Sequence, residues 1–157
     1  MTERHRSIAN VMVLLQRESD GRVLTVRHGP DSSHSPGKLT VIGGHLEKQE
    51  FMDAGAAREL GEEVGIHVAV EDLEFCQLVH FLAPDGARVI GAAFTAQRWE
   101  GEPYNCEHGK HTALVWVDPE HPPDDCHPYT RAVLENFAAG VLYANITAPP
   151  QRAGGAA

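Results

Sequence analysis

The stretch GGHLEKQEFMDAGAARELGEEVGI, residues 43–66, crowds Glu59, Glu62 and Glu63 into two helical turns. The pattern from Phe51 to Val64 predicts a helix, with Gly65 placed as its C-terminal stop. At about 100° per residue, the three carboxylates share an arc of ~100°. Ala56, Leu60 and Val64 occupy the neighbouring arc and are expected to pack on a sheet. Like charges at this spacing repel by a few tenths of a kcal/mol per pair. A hard divalent cation taking oxygen ligands would reverse the sign of that effect. Taken alone, three glutamates read as a solvated acidic face, so the decision falls to the residues around them.

Ahead of the helix, LTVI (39–42) reads as a short strand running into Gly43-Gly44. Further upstream, SIANVMVLLQRESDGRVLTVRHGP (7–30) gives two apolar-rich runs around Ser19-Asp20-Gly21, a β-hairpin signal. Residues 31–38, DSSHSPGK, form a polar loop. Beyond the helix an extended region begins at Ile66. The runs 73–83 and 87–99 flank Pro84-Asp85-Gly86, a second hairpin signal. A loop, EGEPYNCEHGKHT (100–112), leads to the strand ALVWV (113–117), and a Pro-rich loop follows. A second helix is expected over 128–139, with Pro128 in its first turn, Gly140 past its end, and Tyr129, Val133 and Phe137 as its buried stripe. The reading is one domain over 1–144 and a disordered tail over 145–157.

From Gly44 the chain runs Gly, five residues, Glu50, seven residues, Arg58-Glu59-Leu60, one residue, Glu62-Glu63, one residue, Gly65-Ile66. This resembles the Nudix box, G-x5-E-x7-R-E-U-x-E-E-x-G-U with U aliphatic, at every specified position. At average usage near one in fifteen, its fixed residues match by chance on the order of 10⁻⁷ per chain or less. The order of elements is also similar to the whole Nudix fold, an α/β/α sandwich of a mixed β-sheet flanked by the box helix and a C-terminal helix.

The resemblance implies a hydrolase that cleaves the pyrophosphate linkage of a nucleoside diphosphate linked to X with Mg²⁺ or Mn²⁺ as cofactor. A nucleoside triphosphate or modified nucleotide is the expected substrate. It implies Glu59 and Glu63 as principal metal ligands, Glu62 as a further ligand or base, and the Gly43 carbonyl as another donor. Arg58 and Glu50 would form an ion pair that orients those ligands. In related branches a distant loop glutamate activates water or adds a ligand, and Glu107 stands in the corresponding loop. Three positions depart from common family usage: Val41-Ile42 replaces Leu-Pro, Gln49 replaces a glycine, and Leu39 stands where Trp is frequent.

Composition bounds the partners. The net charge of −9 argues against duplex nucleic acid, whose binding is driven by basic residues releasing counterions. No apolar run approaches the eighteen residues of a membrane span, and no signal-peptide pattern opens the chain. Three cysteines without close pairing suit a reducing cytoplasm. The expected partner is a nucleotide-type small molecule, with a homodimer left open. The ten histidines invite a zinc reading, but Cys106, His108, His111 and Cys126-His127 match no common zinc spacing and read as solvated loop histidines beside inert thiols. The rival class is a Nudix-fold module that binds a nucleotide without cleaving it. Such modules generally lose box carboxylates, and this chain keeps them all.

Overall fold

β1 (Ile8–Leu15) lies inside the sheet and is covered on both faces. Its odd residues, Val11, Val13 and Leu15, join one apolar cluster, and its even residues, Met12 and Leu14, join another. A period-two strand buried on both sides reads as an unbroken apolar run, which is why VMVLL shows no alternation. The computed structural model describes residues 4–148. In them β1 is followed by β2 (Val23–His28), β3 (Leu39–His45), α1 (Met52–Val64), β4 (Glu74–Leu82), β5 (Arg88–Ala96), β6 (His111–Val117), α2 (Pro128–Ala138) and β7 (Tyr143–Thr147). The seven strands form one mixed sheet in the order β6-β2-β3-β1-β5-β4-β7, with β1–β5 and β4–β7 parallel. α1 covers the first cluster through Ala56, Leu60 and Val64, and α2 covers the second through Val133 and Leu134. The expected α/β/α sandwich is present.

The first hairpin is not a paired ribbon. The chain turns at Asp20-Gly21 and Gln16 bridges Val23, but the two strands then part. β3 enters between them, pairing β2 through Leu39–Val41 and β1 through Ile42–His45. β3 thereby pairs Asn10–Val13 of β1 and Thr25–Arg27 of β2, in place of the ribbon the local turn signals. Gly43 and Gly44 lie inside β3 and not after it. A Cβ on Gly43 would collide with the Val11 carbonyl oxygen, so the close approach of β3 to its neighbour β1 requires glycine. The second hairpin, β4–β5, forms as expected. After α1 the chain makes a short 3₁₀ turn at Val70–Asp72 before β4.

The domain boundary moves. β7 carries ordered structure through Thr147, past the boundary expected at residue 144, because its backbone completes the open edge of β4. Leu78 N donates to Leu142 O at 2.8 Å and Ala148 N to Leu82 O at 3.0 Å, pinning both ends. The remainder of the expected tail, 149–157, lies outside the described residues.

α2 starts on a histidine. His127 is the N-cap, and its Nδ1 accepts from Tyr129 N at 3.2 Å, a bond that requires Nδ1 to be unprotonated. Burial holds the His127 pKa below the ordinary 6.5, with His28 and Lys38 acting in the same direction. The unfolded chain therefore takes up this proton first, so the stability His127 contributes is complete above about pH 6.5 and is lost as pH falls below it. His127→Asn keeps a capping acceptor and removes the titration. Thermal unfolding between pH 5 and 7.5 should show a shallower acid loss in the variant, and an unchanged slope would refute the assignment.

Candidate active site

The acidic face of α1 is not a solvated face. Glu59 and Glu63 are only 8% and 7% exposed, whereas the side chain of Glu62 is 53% exposed. Arg58 draws three glutamates together. Its Nε and Nη2 donate to the two oxygens of Glu50 at 2.8 and 3.0 Å, a bidentate pair. Its Nη1 donates to both Glu59 Oε1 and Glu62 Oε2 at 2.9 Å, and Nη2 also reaches the His45 carbonyl at 3.2 Å. The Glu50 carboxyl is held below its usual range by Arg58 and the Glu47 amide, and Arg58 is shifted upward chiefly by Glu50. Glu59 sits against Gly44, where any Cβ would strike its carboxylate.

Glu63 lies beyond this network. Its Oε2 is buried and has no hydrogen-bond partner. Burial raises its pKa well above the carboxylate range, and the negative charges of Glu59 and Glu107 add to the rise, against an opposing pull from the Gly43 amide. Burial also raises Glu59, with Arg58 opposing. One end of the box helix is thus tied down by an arginine, while at the other Glu63 keeps a buried oxygen with no hydrogen-bond partner.

Glu107 arrives from the loop before β6. The last carbonyls of an α-helix lack intrahelical donors, and this loop supplies two, Tyr104 N to Val64 O at 3.1 Å and Cys106 N to Glu63 O at 3.0 Å. Gly65, left-handed at φ 68°, leaves room for the Tyr104 ring that a side chain there would strike. Asn105 then locks the turn, its Oδ1 accepting from Glu107 N at 3.0 Å and its Nδ2 donating to His111 O at 2.7 Å. Lys110 Nζ lies 2.7 Å from Glu107 Oε1, and its pKa is raised by that bond. The structure therefore brings Gly43, Gly44, Glu59, Glu63 and Glu107 to one place, and ranges Glu50, Arg58 and Glu62 beside them.

His111 is a correction to the reading of the loop histidines as solvated. It is 2% exposed, its Nδ1 has no partner, and Glu107 Oε2 stands 3.8 Å from that nitrogen. Burial pushes its pKa down, with His28 adding to the shift across an edge-to-face contact of 5.0 Å. The available signal was its place at the head of the strand ALVWV, four residues from Glu107.

A NUDIX domain family model matches residues 6–137. The chain is a Nudix hydrolase. It is 30% identical over 127 residues to the 8-oxo-dGTP diphosphatase of Escherichia coli (strain K12), covering 79% of this chain and 92% of that protein. It is 29% identical over 105 residues to the CTP pyrophosphohydrolase of the same organism, covering 66% and 71%. Among solved structures it resembles the MutT NUDIX hydrolase from Burkholderia pseudomallei at a TM-score of 0.73 and 23% identity, over 83% of this chain and 98% of that one. It also resembles the E. coli ORF135 protein at a TM-score of 0.68 and 27% identity, over 85% and 90%.

One departure from Nudix usage has a backbone consequence. Gln49 is at φ 66°, the only non-glycine residue with positive φ among the described residues. A side chain in that region costs roughly 1–2 kcal/mol, which glycine avoids at some cost in unfolded-state entropy. Gln49→Gly is therefore expected to raise stability by up to about 1 kcal/mol in urea unfolding. A clear destabilisation would show that the turn before Glu50 is not strained.

Proposed function

We propose that this Nudix hydrolase is a divalent-cation-dependent nucleotide pyrophosphohydrolase acting on a (deoxy)nucleoside triphosphate or modified nucleotide. The observation that carries the reading is the unpartnered oxygen of buried Glu63, whose carboxyl is flanked by Glu59 and Glu107. Buried charge is tolerated when it is paired or coordinates a metal. The substrate class is supported by the names of the two E. coli relatives, an 8-oxo-dGTP diphosphatase and a CTP pyrophosphohydrolase.

The donors fit Mg²⁺ or Mn²⁺, since carboxylate and carbonyl oxygens are the hard ligands such ions take. Glu59, Glu62, Glu63 and the Gly43 carbonyl would hold the ion. When bound, it supplies neutralisation of the negative charge that builds on phosphate oxygens during displacement at phosphorus. Arg58 and Glu50 act on the ligands and not on the substrate, the guanidinium fixing Glu59 and Glu62 in one orientation. In the hydrolytic step water forms a new P–O bond, the bridging P–O bond breaks, and the water proton passes to a carboxylate. Glu107 is the residue we assign to that proton, its Oε1 held by Lys110 Nζ at 2.7 Å. Glu62 is the alternative base.

A panel of nucleotides assayed for phosphate or pyrophosphate release, with Mg²⁺ and with chelator, tests the assignment. Hydrolysis should vanish with chelator and return on adding metal, and activity surviving exhaustive chelation would overturn it. Glu63→Gln should keep the fold and lower the rate by on the order of 10²-fold or more. Leu60→Ala should instead cost roughly 2–5 kcal/mol of stability. Nucleotide binding without turnover across the panel would make the chain a binding module.

Glu107→Gln separates the two candidate bases. Steady-state kinetics at saturating Mg²⁺ should show a depressed kcat with KM nearly unchanged, the fold being checked by circular dichroism. An unchanged kcat would move the base role to Glu62.

A further inference from the structure

We infer that His111 completes a mixed nitrogen–oxygen cation site with Glu63 and Glu107, one that prefers a divalent transition metal such as Mn²⁺ or Co²⁺ to Mg²⁺. The inference deepens the proposed function and rests on its reading of Glu63 as a ligand, but it adds a donor that no part of the Nudix box supplies.

Two buried polar atoms without partners meet here from different elements. Glu63 Oε2 comes from α1, and His111 Nδ1 comes from the first residue of β6. Each side chain is more than nine-tenths buried. Glu107 stands with them, and one ligand atom from each of the three residues lies within 4.8 Å of the others. A cation bonded at roughly 2.0–2.2 Å to nitrogen and oxygen holds its ligands at most about 4.4 Å apart, so only slight side-chain movement is required. The gap of 3.8 Å between His111 Nδ1 and Glu107 Oε2 is too long for a direct hydrogen bond. The two groups face each other without satisfying each other.

The loop holds both ligands in advance. Lys110 occupies Glu107 Oε1 and leaves Oε2 toward His111. The amides of Lys110 and His111 both donate to the Glu107 carbonyl at 2.8 Å, so Glu107 and His111 belong to a single closed turn. Asn105 ties that turn at two further points. Fixed backbone on both sides reduces the ordering cost of closing on an ion.

The donor set decides the metal. Glu59, Glu62 and the Gly43 carbonyl offer oxygen alone, which suits Mg²⁺. An imidazole nitrogen is a softer donor and favours first-row transition ions, with affinity rising from Mn²⁺ to Co²⁺. Glu63 is common to both sets.

The test uses the full chain, stripped of metal, and the ions themselves as probes. Bound Mn²⁺ should show nitrogen-14 modulation from a directly coordinated imidazole in pulsed electron paramagnetic resonance. The modulation should persist in His108→Gln, whose histidine is exposed, and disappear in His111→Gln. Calorimetric Co²⁺ affinity should fall in His111→Gln by about tenfold or more, since even outer partners of a ligand contribute that much. Mg²⁺ affinity should stay unchanged. His111→Cys, a second variant whose small side chain suits a buried position, should add thiolate charge-transfer absorption to the Co²⁺ complex. Mn²⁺ binding without nitrogen modulation, modulation that survives His111→Gln, or a Co²⁺ complex of the His111→Cys variant lacking thiolate absorption would overturn this site. Each of those results leaves chelator-sensitive hydrolysis standing, whereas absence of any Mn²⁺ binding would overturn the proposed function as well.

Discussion

The planar fork of Arg58 is the interaction on which the acidic face of α1 depends. Its five donors meet Glu50 twice, Glu59, Glu62 and the His45 carbonyl, so one side chain fixes the strand end, the connecting turn and the helix relative to one another. A lysine could supply the charge but not this geometry, because its ammonium is a point charge on a flexible stem. The same arrangement leaves a deficit. Arg58 is spent on three glutamates, and Glu63, a turn further on and more deeply buried, receives none of it. The unpartnered oxygen that marks the candidate site follows from how far one guanidinium can reach.

The rest of the fold serves to hold that helix face in place. β1 is the strand on which both layers meet, its odd residues under α1 and its even residues under α2. β3 crosses from β2 to β1 and delivers Gly43 and Gly44 beneath Glu63 and Glu59. The loop before β6 finds its position by a backbone rule, since the open carbonyls at the end of α1 need donors and the amides of Tyr104 and Cys106 provide them. Glu107 and His111 reach Glu63 as a consequence. Capping the helix and assembling the site are one event.

Legibility differed between local and distant relations. The box helix, its Gly65 stop and its apolar arc could be read from spacing, because helical geometry ties residues three and four apart. The β4–β5 hairpin was readable for the same reason. The β1–β2 hairpin was misread because the turn at Asp20-Gly21 is real, yet the pairing belongs to β3, which arrives later in the chain. β7 was missed because this five-residue segment, alternately exposed and half-buried, becomes a strand only when the edge of β4 is there to pair with. His111 was misread because burial is a property of the folded surroundings, and a polar loop rich in histidine looks solvated in one dimension.

The sequence by itself determined the family and the order of helix and strand around the box, and it named the box carboxylates as candidates, since each of these rests on spacing within a short segment. Only the tertiary structure decided which carboxylates lose their solvent, which of them Arg58 neutralises, and that Glu107 and His111 stand beside Glu63. The physical reason is that desolvation and unpaired charge arise from contacts between segments far apart in the chain. Spacing can name the residues capable of the chemistry, and burial against distant neighbours selects among them.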